Sequence, residues 1–308
     1  MSGSLSLSRI IKAVREARRH GADAPRLCIV GCGADLARVV GVVSAGAADE
    51  SGGVSAAVDA LSPADFPRET RLSGRWDIVV FVAAGCAAAE AAPVVRAVRH
   101  AGSRIVALVE RAADSGWADE ARVDDDEVAR GLGADVEAKP TLENRLVHAA
   151  GEAGAALATR LPALRRSYCD HVILANATQN GVIGAVVIIP GADMPAMTAN
   201  QIRMVLKIAA GYGEEVGLDR ALEILSVVGS AFVFRALARQ ALDFVPGFGW
   251  ALKGTVGFTA TVALGEAAIA YFEAGAPLRV SRMQRINRQL DRARSRLPGF
   301  LQRGLSEE

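Results

Sequence analysis

Residues 26–38, RLCIVGCGADLAR, decide the fold of the first half of this chain. Arg26 to Val30 is a short apolar run of the kind that forms a buried strand. It opens into Gly31-Cys32-Gly33, and Ala34 to Val43 then reads as a helix. A strand that turns through glycine into a helix is the first unit of a parallel α/β sheet.

The same alternation continues outward from this unit. Val54 to Asp59 reads as a weak strand. Asp77 to Val82 is a continuous apolar run suited to a central parallel strand. Ala87 to His100 reads as a helix and Ile105 to Val109 as a strand. Asp124 to Leu132 reads as a short helix with an acidic start, Asp135 to Ala138 as a last short strand, and Pro140-Thr141 opens a helix to about Arg160. From Leu161 the strand signals stop. Helices are expected near 163–189, 196–215, 218–228, 230–243, 247–273 and 279–296, broken by Pro190-Gly191, Gly213 to Gly217, Pro246-Gly247 and Gly275 to Pro277.

The expected organisation has four parts. Residues 1–22 form an amphipathic helix carrying Leu7, Ile10, Ile11 and Val14 on one face. Residues 23–162 form a P-loop GTPase-like α/β domain with a mostly parallel sheet. Residues 163–277 form an all-α domain, and 278–308 a basic amphipathic helix and tail.

The loop at 31–38 lacks the chemistry of a phosphate loop. That motif wraps phosphates with glycine backbone, bridges them with Lys and holds Mg²⁺ with a hydroxyl. Here Leu36 stands at the second glycine, Ala37 at the Lys and Arg38 at the Ser/Thr, while Asp35 adds a repelling carboxylate. The guanine-recognition Asn-Lys-x-Asp is replaced by Glu110-Arg111-Ala112-Ala113, and no Asp-x-x-Gly switch lies between 59 and Trp76. Three losses together point away from a working GTPase. The rival reading is a dinucleotide site: Gly31 and Gly33 fit half of Gly-x-Gly-x-x-Gly, with Asp49 or Glu50 placed for a ribose, but Leu36 replaces the third glycine.

Composition adds exclusions. The net charge is +1, so no global field recruits nucleic acid or acidic lipid. Cys28, Cys32, Cys86 and Cys169 fit neither a zinc ribbon nor a disulfide scaffold and read as four reduced thiols. His20, His100, His148 and His171 are scattered, and no nucleophile–base pair stands out. No resident metal or cofactor is expected.

In the second half, Ala175 to Gly213 (ANATQNGVIGAVVIIPGADMPAMTANQIRMVLKIAAGYG) pairs a glycine-bearing apolar segment with a Pro-Gly turn and a capped helix. Val245 to Phe272 is a second glycine-rich apolar run. Over roughly 165–275 the chain resembles the YcjF-like family of GTPase-associated domains. The resemblance implies a helical domain that accompanies a GTPase domain and, in many members, associates with membranes. It implies no catalytic residues.

Val172 to Ala192 carries no charge, and Phe244 to Gly265 carries only Lys253, so both approach the length a bilayer requires. Asn176, Thr178, Gln179 and Asn180 interrupt the first. Gly184, Pro190, Gly191, Gly254 and Gly257 are candidate contact positions, in lipid or in a soluble bundle. In 278–296, Arg282, Arg285, Arg288 and Arg292 lie among further arginines around an apolar stripe, with Asp291 the single opposing charge. That segment reads as a solvated face, as a helix on anionic lipid, or as a nucleic-acid contact; without interleaved aromatics, nucleic acid is not expected. The expectation is a non-catalytic chain of the cytoplasm or its membrane face. Its partner would be a membrane, an active GTPase or a second copy. A dinucleotide-binding enzyme and a soluble self-associating protein are the alternatives.

Overall fold

The computed structural model describes residues 24–47, 58–67, 74–110, 117–132, 141–186, 194–214 and 249–275. The helices expected at 1–22, 218–228, 230–243 and 279–296 lie outside these residues. So do the strand expected at 135–138, Asp49, Glu50, Pro190, Gly191, Arg282, Arg285, Arg288 and Arg292.

Among the described residues, five strands form the N-terminal sheet: β1 (Leu27–Val30), β2 (Val58–Leu61), β3 (Ile78–Val82), β4 (Arg104–Leu108) and β5 (Val128–Ala129). Their order is β2-β1-β3-β4-β5, and every pairing is parallel. Period-two alternation splits the apolar residues between two faces. Cys28, Val30, Val79 and Phe81 join one core with α2 (Ala88–His100) and α3 (Trp117–Ala121). Leu27, Ile29, Val80 and Val82 join the other with α1 (Gly33–Val43) and α4 (Leu142–Ala150). Coverage on both faces explains why β1 and β3 are unbroken apolar runs, buried at every position.

Three local expectations are corrected. Asp124 to Leu132 is not a helix: residues 125–127 make a single 3₁₀ turn and Val128 enters β5. The acidic start is real, but β4 has an open edge there. Pairing Ala107 with Val128 and Leu108 with Ala129 satisfies backbone groups that a helix would leave unmatched. Next, the helix expected to reach Arg160 breaks at Gly151, whose φ of +56° ends α4 before α5 (Gly154–Arg160) begins. The weak strand near 54–59 lies further on, at Val58–Leu61, paired residue for residue with β1.

The helical half is built on α6 (Arg165–Val186), α7 (Met194–Gly211) and α8 (Gly249–Glu273). Residues Val172, Ile173, Met204, Ile208, Leu264 and Ile269 form its core, joined by Val147 and Ala158 from α4 and α5. Those two short helices therefore pack on both the sheet and the bundle. The seam between α6 and α8 is antiparallel and close. A methyl group added at Gly254 would lie 3.0 Å from the Gly181 carbonyl oxygen, and one at Gly257 would lie 2.9 Å from that of Asn180. The flexible end of Met197 also meets a methyl at Gly257 and can swing aside, but the Asn180 backbone cannot, so Gly257→Ala should cost about 1–2 kcal/mol. Urea denaturation checks this; a change under about 0.5 kcal/mol would contradict the packing.

Candidate functional site

In an open parallel sheet, ligands bind outside the carboxyl ends of the strands, where the strand order reverses. Here the chain leaves β1 toward β2 on one side and returns to β3 on the other, so the crevice lies above β1 and β3. The loop after β1 is Gly31 to Gly33, as the sequence suggested. Gly31 is needed for closeness: an added methyl would sit 3.0 Å from Val82 Cβ. Gly33 opens α1 with a φ of +52°, a left-handed conformation that favours glycine.

The loop after β3 faces this one. Cys86 N–H donates to Ala83 O at 3.1 Å, and Gly85, with φ +75°, occupies the third position of the turn. That is the arrangement of a type II turn, which requires a positive φ there. The turn carries Cys86 to Cys32, and the two form a disulfide across the crevice, with Cα atoms 6.0 Å apart. The expectation of four reduced thiols is corrected here: only Cys28 and Cys169 are free, and both are buried. Burial pushes each of their thiols up to about 12.

The other side of the crevice is closed by charge. Arg38, on α1, makes a bidentate pair with Glu110 after β4 and lies 3.6 Å from Asp35. Hydrogen bonding to Glu110 pushes the Arg38 guanidinium further above its ordinary range. Asp35 and Glu110 set two carboxylates against Arg38, and Glu90 on α2 adds a third carboxylate beside Cys32 and Cys86. A phosphate placed here would meet repulsion from the carboxylates and a cation already engaged.

A second feature is the polar centre of the bundle. Asn180 Nδ2 donates to Thr261 Oγ1 at 2.8 Å, Asn200 Nδ2 donates to Asn180 Oδ1 at 3.0 Å, and Thr261 Oγ1 donates to Gly257 O at 2.7 Å. All three side chains are buried. The candidate positions Gly184, Gly254 and Gly257 fall in or beside this seam: Gly184 is buried, and the other two pack against Asn180, Gly181 and Ala185. The sequence counted Asn176 and Asn180 against a membrane span, but it carried no signal that Asn200 and Thr261 would meet them.

A third is a cavity of about 350 Å³ between α4 and α6, lined by Arg145, His148, Asp170 and His171 among others. Arg145 is committed to the Val128 and Asp125 carbonyls, at 3.0 and 2.9 Å. Burial and the neighbouring His148 and Lys207 push the His171 imidazole below its ordinary value. Burial pushes Asp170 up against the opposing pull of Arg166. Among the described residues, the two histidines and Asp170 line this wall without forming a group of three converging ligand atoms.

Outside the bundle, Leu174, Val182 and Val186 stand on one face of α6, separated by multiples of four residues. They are 59%, 57% and 69% exposed, and Phe258 of α8, also partly exposed, packs against Gly181 of α6. Residues Gly254–Glu273 of α8 are long and apolar enough to cross a membrane by length and composition.

Residues 148–297 match a family described as Domain of unknown function (DUF697). No family matches the N-terminal region, and no curated protein matches the chain. The matched stretch begins within α4, the helix that joins sheet and bundle.

Proposed function

We propose that this chain is a non-catalytic, pseudo-GTPase-type scaffold whose helical half docks on an anionic membrane surface. The observation that carries the docking is the Leu174, Val182 and Val186 stripe, since large aliphatic side chains in a row are normally covered. The arginine-rich stretch 279–296 follows directly after α8 in sequence and supplies the complementary charge for anionic lipid. The resemblance of 165–275 to GTPase-associated helical domains agrees with this reading. The blocked crevice above β1 and β3 supports the absence of nucleotide chemistry.

Docking on the surface is favoured over spanning. Within the apolar stretch of α8, Glu266 is held by Arg166 at 2.9 and 3.0 Å, and both side chains are nearly half exposed. Carrying that pair into hydrocarbon would cost several kcal/mol. The apolar stretch is 39% buried, so much of its surface is left for contact.

Two measurements test the proposal. Calorimetric titration with GTP, GDP and NAD should give no binding heat; micromolar binding of any of them would overturn the non-catalytic reading. Co-sedimentation with phosphatidylglycerol vesicles should retain the chain at low salt and weaken at high salt. Leu174→Asp with Val182→Asp should reduce retention by about tenfold or more. Equal retention of native and variant chains would remove the stripe from the interface. A native chain that ignores vesicles but loses oligomer mass in the variant would assign the stripe to a second copy.

A further inference from the structure

We propose that, once reduced, Cys32, Cys86 and Glu90 bind a divalent cation of the zinc class, and that the Cys32–Cys86 disulfide is the metal-free form of this site. The site is independent of the docking surface on α6. Among the described residues, these side chains are the group whose ligand atoms converge: the two sulfurs and a Glu90 carboxylate oxygen all lie within 4.8 Å of one another. Two zinc-bound sulfurs sit about 3.7 Å apart in tetrahedral geometry, so small side-chain rotations of the opened disulfide suffice. Two thiolates with one carboxylate select zinc-class ions over magnesium or calcium, which take oxygen ligands.

The backbone holds these groups in place without the metal. Ala87 N–H donates to Glu90 Oε2 at 3.0 Å and orients the carboxylate. Trp117 Nε1–H donates to Cys86 O at 3.2 Å, and the Gly85 turn fixes the direction of the Cys86 side chain. The carboxylate of Asp35 borders the site, 3.7 Å from where a Gly85 side chain would begin. Asp35 or a water molecule completes a fourth position. The other two cysteines do not join the group: Cys169 is buried in the core of the helical half, and Cys28, although in the same sheet core as Cys86, is buried on β1 with its sulfur outside the converging set.

The redox step balances with a dithiol reductant. Thiol–disulfide exchange breaks the Cys32–Cys86 bond, and the reductant gives two electrons and two protons and leaves as its own disulfide. The cation then displaces the two thiol protons to solvent and forms two metal–sulfur bonds. A small-molecule disulfide reverses this: the sulfurs lose two electrons, their bond reforms, and the cation is released.

The test uses the full chain, reduced with a phosphine that is then removed without oxygen, and titrated with Zn²⁺ against a chromophoric chelator. One equivalent should bind to the reduced chain and none to the oxidised chain. Co²⁺ in place of Zn²⁺ should give a thiolate-to-metal charge-transfer band. Cys32→Ser should weaken Zn²⁺ by about a hundredfold and Glu90→Gln by about tenfold. Cys28→Ala with Cys169→Ala should leave binding unchanged. Equal Zn²⁺ binding by oxidised and reduced native chain, or none by either, would overturn the proposal; this comparison needs no variant to fold.

Discussion

Asn180→Ala is expected to destabilise the helical half by roughly 3 kcal/mol. Asn180 is wholly buried, and its amide joins three helices at once. Its oxygen accepts from Asn200 on α7, and its nitrogen donates to Thr261 on α8. Truncation removes two hydrogen bonds and leaves space where water has no easy entry. Asn200 keeps a longer bond to the Asn176 carbonyl, at 3.2 Å, and Thr261 keeps its donation to Gly257. The cost is therefore close to that of one orphaned polar atom plus a cavity, rather than collapse of the whole network. Thr261→Val alone should cost less, and the double variant should cost less than the sum by about 1 kcal/mol, because each change already breaks the shared bond. Urea denaturation of the four proteins supplies the cycle. Additive losses would mean that the two side chains do not act as a pair.

The same residues show what could be read from the sequence. The strand–glycine–helix unit at 26–43 was legible because buried parallel strands are continuous apolar runs and because Gly31 has a local geometric task. The helices 165–186, 194–211 and 249–273 were legible from length, apolar content and breakers, to within a few residues. The short helix expected at 124–132 was not there, because the demand came from the β4 edge and not from local residues. The Cys32–Cys86 bridge was invisible for a related reason. Its partners are 54 residues apart, and they meet through the return from β2 to β3, which no local pattern specifies. The meeting of Asn180, Asn200 and Thr261 was hidden likewise: polar residues in apolar helices announce a conflict, but the antiparallel seam decides who resolves it. The blocked crevice was half legible. The missing Lys and Ser/Thr were on the page, whereas the Arg38–Glu110 closure depended on the neighbouring β4 loop.

Opening the Cys32–Cys86 bond should have the largest effect on stability, a loss of about 4 kcal/mol by chain entropy for a closed loop of this length. The unfolded chain gains the freedom of everything between β1 and β3, including β2, while the folded sheet keeps its ladders. Both phosphine reduction and the paired substitution Cys32→Ser with Cys86→Ser should show it, as matching drops in the urea midpoint of the α/β half. A loss below about 1 kcal/mol in both would mean that the folded loops, not the unfolded chain, carry the effect of the bond. The change should also be local in the native state. Amide exchange should rise at 31–36 and 83–90, where the bridge ties the two loops over the crevice. The α6–α8 seam should keep its protection, since its contacts lie in a separate core. Adding Zn²⁺ to the reduced native chain should return part of the lost stability, and adding it to the double Ser chain should not, because only a ligand bound by the folded state can shift the balance. Exchange that rises equally in the bundle would place the two halves in one cooperative unit, joined through α4 and α5.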